Sequence, residues 1–300
     1  MSLRLAALRL VLRWFARPRL ARVVTPDAAR ADFDRFARHL PAPPFLLDLP
    51  GRQAPHLHRI TAGPVGDHAV ILWLHGGAYV AGRPVTHAGM LGRLSRLSRL
   101  EVYAPDYRLA PEHPAPAAFD DARAAHARLM AGGWAPGQVI LGGDSAGGGL
   151  ALALLADLCV RGLRPAGLVA FSPWTDLAMT GDSLRTHAAA DPLLPAARME
   201  EAVAMIRGDL PPGDPRLSPL YARYDAPPPV LIQVGDDEIL LDDSRRMADV
   251  LRAAGGEVRL EVWPCAPHVW QIFDGWLPEA RAALRQAAAF ARQLAPGASR

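Results

Sequence analysis

Three groups of residues in this chain have the types and order that nucleophilic acyl transfer requires. The first is Gly143-Asp144-Ser145-Ala146-Gly147. An apolar run from Gln138 to Leu141 precedes it, and an alanine- and leucine-rich run from Ala151 to Val160 follows it. A strand must therefore enter a helix through a very tight turn, with Ser145 at its apex and glycines where the two segments pass closest. The competing reading is a phosphate loop, but Gly142 to Gly149 has neither a Lys-Ser/Thr ending nor a dinucleotide-binding spacing.

The second group is His75-Gly76-Gly77-Ala78, directly after an apolar run from His68 to Leu74. Such a loop turns backbone N–H groups toward an oxygen that becomes negative in the transition state, and the amide after the serine joins them. The expected donors are Gly76, Gly77, Ala78 and Ala146. His75 is expected to hydrogen-bond the loop backbone rather than act as a base. The third group is Asp236-Asp237-Glu238, with Asp242 and Asp243 beyond, followed by His268. A serine needs a base within reach, and the base needs a carboxylate to fix its tautomer; Ser145, one of these acids and His268 each follow a strand-like segment. At this point Glu238 or a neighbouring aspartate fits equally. Asp242 and Asp243 fall in the first turn of the next helix, where an acid favours the dipole.

Other chemistry is weaker. His56 and His58 share a face around Leu57 but lack a third ligand nearby, so they are read as a solvent face. Cys159 and Cys265 form neither a C-x-x-C pair nor a disulfide framework, which fits a reduced, intracellular setting. No metal site and no cofactor are expected.

The elements that position these groups alternate. Strand-like segments at 44–49, 56–61, 68–74, 101–104, 138–141, 167–171, 229–234 and 257–263 are interrupted by helical ones such as 117–131 and 276–294, which implies a largely parallel sheet with right-handed crossovers. Asp106, Arg108 and Glu112 are read as an internal ion-pair network. Before the sheet, Thr25-Pro26-Asp27 has the form of a helix start, and Phe33, Phe36, Ala37 and Leu40 recur with helical period. Leu3 to Phe15 is apolar but broken by Arg4, Arg9 and Arg13, unlike a secretory segment. It reads as an amphipathic helix with Arg9, Arg13 and Arg17 on one side, its apolar side packed on the protein rather than on lipid. Between Ser172 and Pro228 the alternation stops and prolines are dense, with one helix expected over 196–207. The chain is thus divided into N-terminal cap helices over 1–44 and a catalytic domain over 45–300 that carries a cap insertion at about 175–225, together forming an apolar pocket above Ser145.

Half of the 300 residues are apolar, enough for one sizeable core. The formal net charge is +3 with the arginine excess in the first 40 residues, not in a basic stripe, which weighs against nucleic acid. No run is long enough to span a membrane.

With these motifs placed, the chain resembles the hormone-sensitive-lipase-like esterases, the bacterial family IV lipolytic enzymes of the α/β-hydrolase superfamily, over nearly its whole length. The resemblance rests on His75-Gly76-Gly77-Ala78, Asp106-Tyr107-Arg108-Leu109-Ala110-Pro111-Glu112 and Gly143-Asp144-Ser145-Ala146-Gly147. It departs twice: Ala78 replaces a third glycine, and Glu238-Ile239-Leu240 stands where the family has Asp-Pro-Leu. It implies an α/β-hydrolase fold, with a mostly parallel eight-stranded sheet flanked by helices and a helical cap. It further implies a cofactor-independent serine carboxylesterase for small, fairly apolar esters of short to medium acyl length, acting through an acyl-enzyme. Ser145 would be nucleophile, His268 base and Glu238 the acid, with Asp237 and Asp242 as the alternatives. The expected partner is a small ester, with no nucleic acid, no stable membrane insertion and a cytoplasmic location from the composition, and the resemblance suggests a homodimer. A lactonase, amidase or deacetylase would use the same triad. A small-molecule receptor on this fold would lack the catalytic histidine, whereas His268 is present.

Overall fold

The computed structural model describes residues 1–23 and 25–295. Among the described residues eight strands are formed: β1 (Leu46–Leu49), β2 (His56–Ala62), β3 (Val70–Leu74), β4 (Glu101–Asp106), β5 (Val139–Asp144), β6 (Gly167–Phe171), β7 (Val230–Gly235) and β8 (Val258–Trp263). They make one sheet in the order β1-β2-β4-β3-β5-β6-β7-β8. β1 and β2 pair antiparallel with each other, and β2 pairs antiparallel with β4, while every pairing from β4 to β8 is parallel.

The central strands read as unbroken apolar runs because both faces of the sheet are covered. Val70, Leu72 and Leu74 point into a core shared with helices α5 (Ala117–Ala131), α6 (Ala146–Val160) and α9 (Leu241–Ala253). Ile71 and Trp73 point into a second core, under α4 (Pro84–Ser98) and α10 (Pro278–Leu294). The same division separates Val139 and Leu141 from Ile140, and Leu168 and Ala170 from Val169 and Phe171. Each fully buried leucine or valine contributes about 1.5–3 kcal/mol relative to exposure.

Several elements differ from the sequence reading. Helix α6 begins at Ala146, directly after the serine, although three of its first four residues are glycines. Glycine costs about 1 kcal/mol each in a helix, but a side chain on Gly147 would lie 2.1 Å from the Leu74 carbonyl oxygen, so close packing overrides propensity there. Helix α4, which contains Gly89 and Gly92 and has little amphipathic contrast, was not expected from the sequence. Asp106, Arg108 and Glu112 do not pair with one another. Arg108 holds Asp121 of α5 at 2.8 Å, Glu112 receives Arg30 at 2.6 Å, and Asp106 is exposed at the end of β4.

The N-terminal segment forms α1 (Leu3–Val11), a π-helical turn over Leu12–Ala16, α2 (Arg17–Arg22) and α3 (Pro26–Ala37). Pro18 has no N–H, and its ring crowds the carbonyl four residues back, so the turn before it widens and the Arg17 N–H donates to the Leu12 carbonyl. α3 starts as expected, with the Thr25 hydroxyl accepting from the Ala28 N–H at 3.3 Å. Its aromatic face is only partly covered: Phe33, half-buried, lies edge-on to His87, while Phe36 lies edge-on to Phe273 but stays exposed. α1 is oriented otherwise than expected. Leu5 and Leu12 are buried, but the arginine side also faces inward. Arg9 donates to the Cys265 carbonyl and to Asp237, Arg13 to the Ala190 carbonyl, and Arg17 to the Ala188 carbonyl. Leu3, Leu10, Val11, Trp14 and Phe15 are left exposed.

The stretch from Ser172 to Pro229 holds α7 (Ser183–Thr186), a tight turn over Ala196–Arg198 running into α8 (Met199–Ile206), and a short turn at Pro219–Tyr221. The single helix expected over 196–207 is therefore split in type at Met199. Arg198 reaches the Ala21 and Val23 carbonyls at 2.9 and 2.6 Å, tying this stretch to the end of α2. Among the described residues no helix is long and apolar enough to cross a membrane.

Candidate active site

Ser145 stands between β5 and α6 at φ 54° and ψ −125°, a left-handed conformation that a non-glycine residue adopts only when its surroundings impose it. Those surroundings are backbone bonds: the Ser145 N–H donates to the Phe171 carbonyl, and the Ser145 carbonyl accepts from Gly149 and Trp174. The hydroxyl lies 2.8 Å from His268 Nε2. His268 Nδ1 in turn lies 2.7 Å from Glu238 Oε2. With Glu238 ionised, Nδ1–H donates to it, and Nε2 is left bare to accept the Ser145 proton.

The carboxylate is itself held. Glu238 is fully buried, and its other oxygen accepts from the Gly235 N–H at 2.6 Å and from the Ser172 hydroxyl at 2.7 Å. The same Ser172 hydroxyl accepts from the Val269 N–H at 3.2 Å, so one side chain links the loops of the acid and the histidine. Sequence reading missed Ser172, which follows a strand with no motif around it. Asp191 was missed for the same reason; buried, it accepts from the Ile239, Leu193 and Leu194 N–H groups and fixes the residue after the acid. Burial alone would lower the pKa of His268, but the Glu238 charge and hydrogen bond, with Asp191 and Asp144 farther off, outweigh it and hold it above the ordinary histidine value.

The four other acids after β7 point elsewhere. Asp236 accepts from the Cys265 N–H at 2.6 Å, and Asp237 pairs with Arg9 at 2.6 Å. Asp242 accepts from the Ser183 N–H, and Asp243 from the N–H groups of Thr175 and Asp176. These two lie in the first turn of α9, as expected, but they bind the 172–229 stretch. Burial, with Asp176 nearby, pushes Asp243 up to about 7 against those donors. Asp236, Asp237 and Cys265 come close enough to suggest cation ligands, yet Arg9 and a backbone amide already engage both acids. His58 is paired with Asp48 at 2.7 Å and His56 with the Gly51 carbonyl, so the two do not act together.

Of the four expected oxyanion donors, Gly76 requires correction. Its N–H donates to Asp144 Oδ2 at 3.1 Å and is not free for a substrate oxygen. Among the described residues the N–H groups of Gly77, Ala78 and Ala146 have no such partner. Gly77, Ala78 and Tyr79 have φ of 119°, 53° and 56°, a run of left-handed residues that turns consecutive amides to one side. A side chain on Gly77 would lie 2.1 Å from the Ala81 carbonyl oxygen.

Asp144 joins this loop to the serine turn. It accepts from Gly76 N–H, from Trp73 Nε1 at 2.9 Å and from His87 Nε2 at 3.1 Å, all buried. Burial opposes both charges of the Asp144–His87 pair, but their mutual attraction prevails, lowering the Asp144 pKa and raising that of His87. His75 is pushed down to about 3 by burial and by the His87 charge. It is therefore a neutral ring, stacked on Tyr107 and bonded to the Gly76 carbonyl, which is the loop-orienting place expected of it.

The pattern of a family described by its alpha/beta hydrolase fold matches residues 71–272. An esterase of Acinetobacter venetianus is 36% identical over 273 residues, covering 90% of this chain and 90% of that protein. An acetyl-hydrolase of Streptomyces hygroscopicus is 41% identical over 227 residues, covering 75% of this chain and 76% of that protein. The crystal structure of an esterase from the bacterial hormone-sensitive lipase family superposes with a TM-score of 0.92 at 38% identity, covering 98% of this chain and 99% of that one.

Proposed function

This chain belongs to the α/β-hydrolase-fold family, among its hormone-sensitive-lipase-like esterases, and from that premise we propose that it cleaves small apolar esters through an acyl-enzyme formed on Ser145. That it is a carboxylic ester hydrolase follows from the family and from the esterase and acetyl-hydrolase relatives. The mechanism and acyl range are our reading. The observation that carries it is the relay of 2.8 and 2.7 Å from Ser145 through His268 to Glu238.

In this mechanism Ser145 Oγ attacks the ester carbonyl as His268 Nε2 takes its proton. The carbonyl oxygen becomes negative and accepts from Ala146, Gly77 and Ala78 N–H groups. Removing one such donor costs about a hundredfold to a thousandfold in rate. His268, now protonated and stabilised by Glu238, gives the proton to the leaving alcohol. Water, activated by the same histidine, then attacks the acyl carbon and releases the acid. Short to medium acyl chains fit the acetyl-hydrolase relative and the apolar stretch at Leu193 and Leu194, which Asp191 fixes beside the acid's loop. The N-terminal helices and the 172–229 stretch, joined through Arg198, would act as a cap over this end of the sheet.

The test is Ser145→Ala assayed with p-nitrophenyl esters of increasing chain length. Turnover should vanish with the fold intact, and a fluorophosphonate should label Ser145 in the native chain only. Wild-type chain should favour the shorter esters and be indifferent to a chelator. Near-normal turnover by the alanine variant would exclude the serine mechanism.

A further inference from the structure

The outward side of the first helix carries a feature that the ester chemistry does not use. Leu3, Trp14 and Phe15 are 90%, 70% and 73% exposed, and Leu10 and Val11 more than half so. On a helix Leu3, Ala7, Leu10 and Trp14 fall at spacings of four, three and four, one stripe flanked by Val11 and Phe15. From Leu3 to Leu20, also exposed, the stripe runs about 25 Å at 1.5 Å per residue. The opposite side is fastened down by Leu5, Leu12 and three inward arginines, so the segment cannot roll to bury this face without breaking those bonds.

What covers the face is decided by charge. Exposed Arg4 and Arg22 rim the stripe, Arg19 beside them being paired with Asp32, and residues 1–40 hold nine arginines against three aspartates. A second copy docked on the same face would set this cationic rim against itself. An anionic lipid surface would instead take the leucines, Trp14 and Phe15 at the headgroup boundary and the rim among its phosphates, the arrangement of an interfacial helix. We propose that the exposed face of the first helix, centred on Leu10, Trp14 and Phe15, seats this enzyme peripherally on anionic membrane. Arg9 contacts both Asp237 and the Cys265 carbonyl, next to the loops of Glu238 and His268, so the seated protein presents its catalytic end to the lipid.

The experiment is co-sedimentation of the full chain with sucrose-loaded vesicles of phosphatidylcholine, with and without phosphatidylglycerol, at low and high salt. Binding should require the anionic lipid and weaken with salt. Trp14→Ser with Phe15→Ser should reduce binding at least tenfold while hydrolysis of a water-soluble ester is unchanged, which also shows that the variant folds. Arg4→Gln with Arg22→Gln should reduce it by about tenfold or more, at roughly 1 kcal/mol per arginine near an anionic surface. Absence of vesicle binding, equal binding to neutral vesicles, or equal binding by the Trp14/Phe15 variant would overturn the proposal. So would a dimer in solution light scattering that the same variant converts to monomer, because a second copy would then be the occupant.

Discussion

Asp236, Asp237, Glu238, Asp242 and Asp243 follow one strand, and what distinguishes them is the partner each has taken. Glu238 faces His268, while the others hold a backbone amide or Arg9. Glu238→Gln is expected to lower kcat by about a thousandfold or more, since the amide favours the wrong histidine tautomer. Asp237→Asn and Asp242→Asn should stay within about tenfold. Neutral His268 is the base, so activity falls as pH drops through its pKa. Glu238 holds that pKa above the ordinary 6.5, which places the acid limb of kcat/KM above that pH. In Glu238→Gln the charge is gone and burial remains, so the limb should move to lower pH as the rate collapses; a pH–rate profile of both proteins checks this. His87→Leu leaves the buried Asp144 charge unpaired and should cost about 3–5 kcal/mol in urea unfolding. The raised His87 pKa contributes stability that is lost as pH rises through it, and the lowered Asp144 pKa stability that is lost in acid, so the gap between wild type and variant should narrow at both extremes. Ser145 and His268 were legible because motif and order mark them. Glu238 needed the resemblance, and Ser172, Asp191 and His87 were hidden because partners on distant segments give them their roles.

Strands β3, β5, β6 and β7 were legible because both faces of the sheet are covered and their runs are uniformly apolar. Helix α4 was not, since its glycines and weak periodicity suit a helix buried on most sides. The roll of α1 was illegible for another reason. Its leucines and its arginines each form a stripe, and the choice between them rests on carbonyls of Ala188, Ala190 and Cys265, which belong to irregular segments far along the chain. Deleting residues 1–40 removes these bonds and uncovers His87 and Phe273, which Phe33 and Phe36 shield. The truncated chain should show a lower Tm and a KM for esters raised more than its kcat is lowered. Unchanged KM across chain lengths would separate these helices from substrate binding.

Across the whole molecule, the nucleophile lies 123 positions from its base and the acid 30 positions from it, so the site exists only when β5, β6, β7 and β8 are assembled side by side. The strand order could not be read from the sequence, because β3 inserts between β4 and β5 and adjacency in the chain misleads. Trp73, Trp174 and Trp270 are buried in the two cores and report on them. In urea, loss of ester turnover should coincide with or precede their change in fluorescence, and turnover persisting beyond it would contradict a site built from the sheet. Cys265 has a consequence for how such an enzyme would be classified by inhibitors. It lies three residues before His268 at φ 58°, its N–H held by Asp236 and its carbonyl by Arg9, with its side chain partly exposed. Cys159 is buried, and its thiol is pushed up to about 11, so alkylation should fall on Cys265 first. A bulky maleimide there would pry the histidine loop from its anchors and silence an enzyme whose chemistry needs no sulfur, and Cys265→Ala should confer full resistance to the reagent.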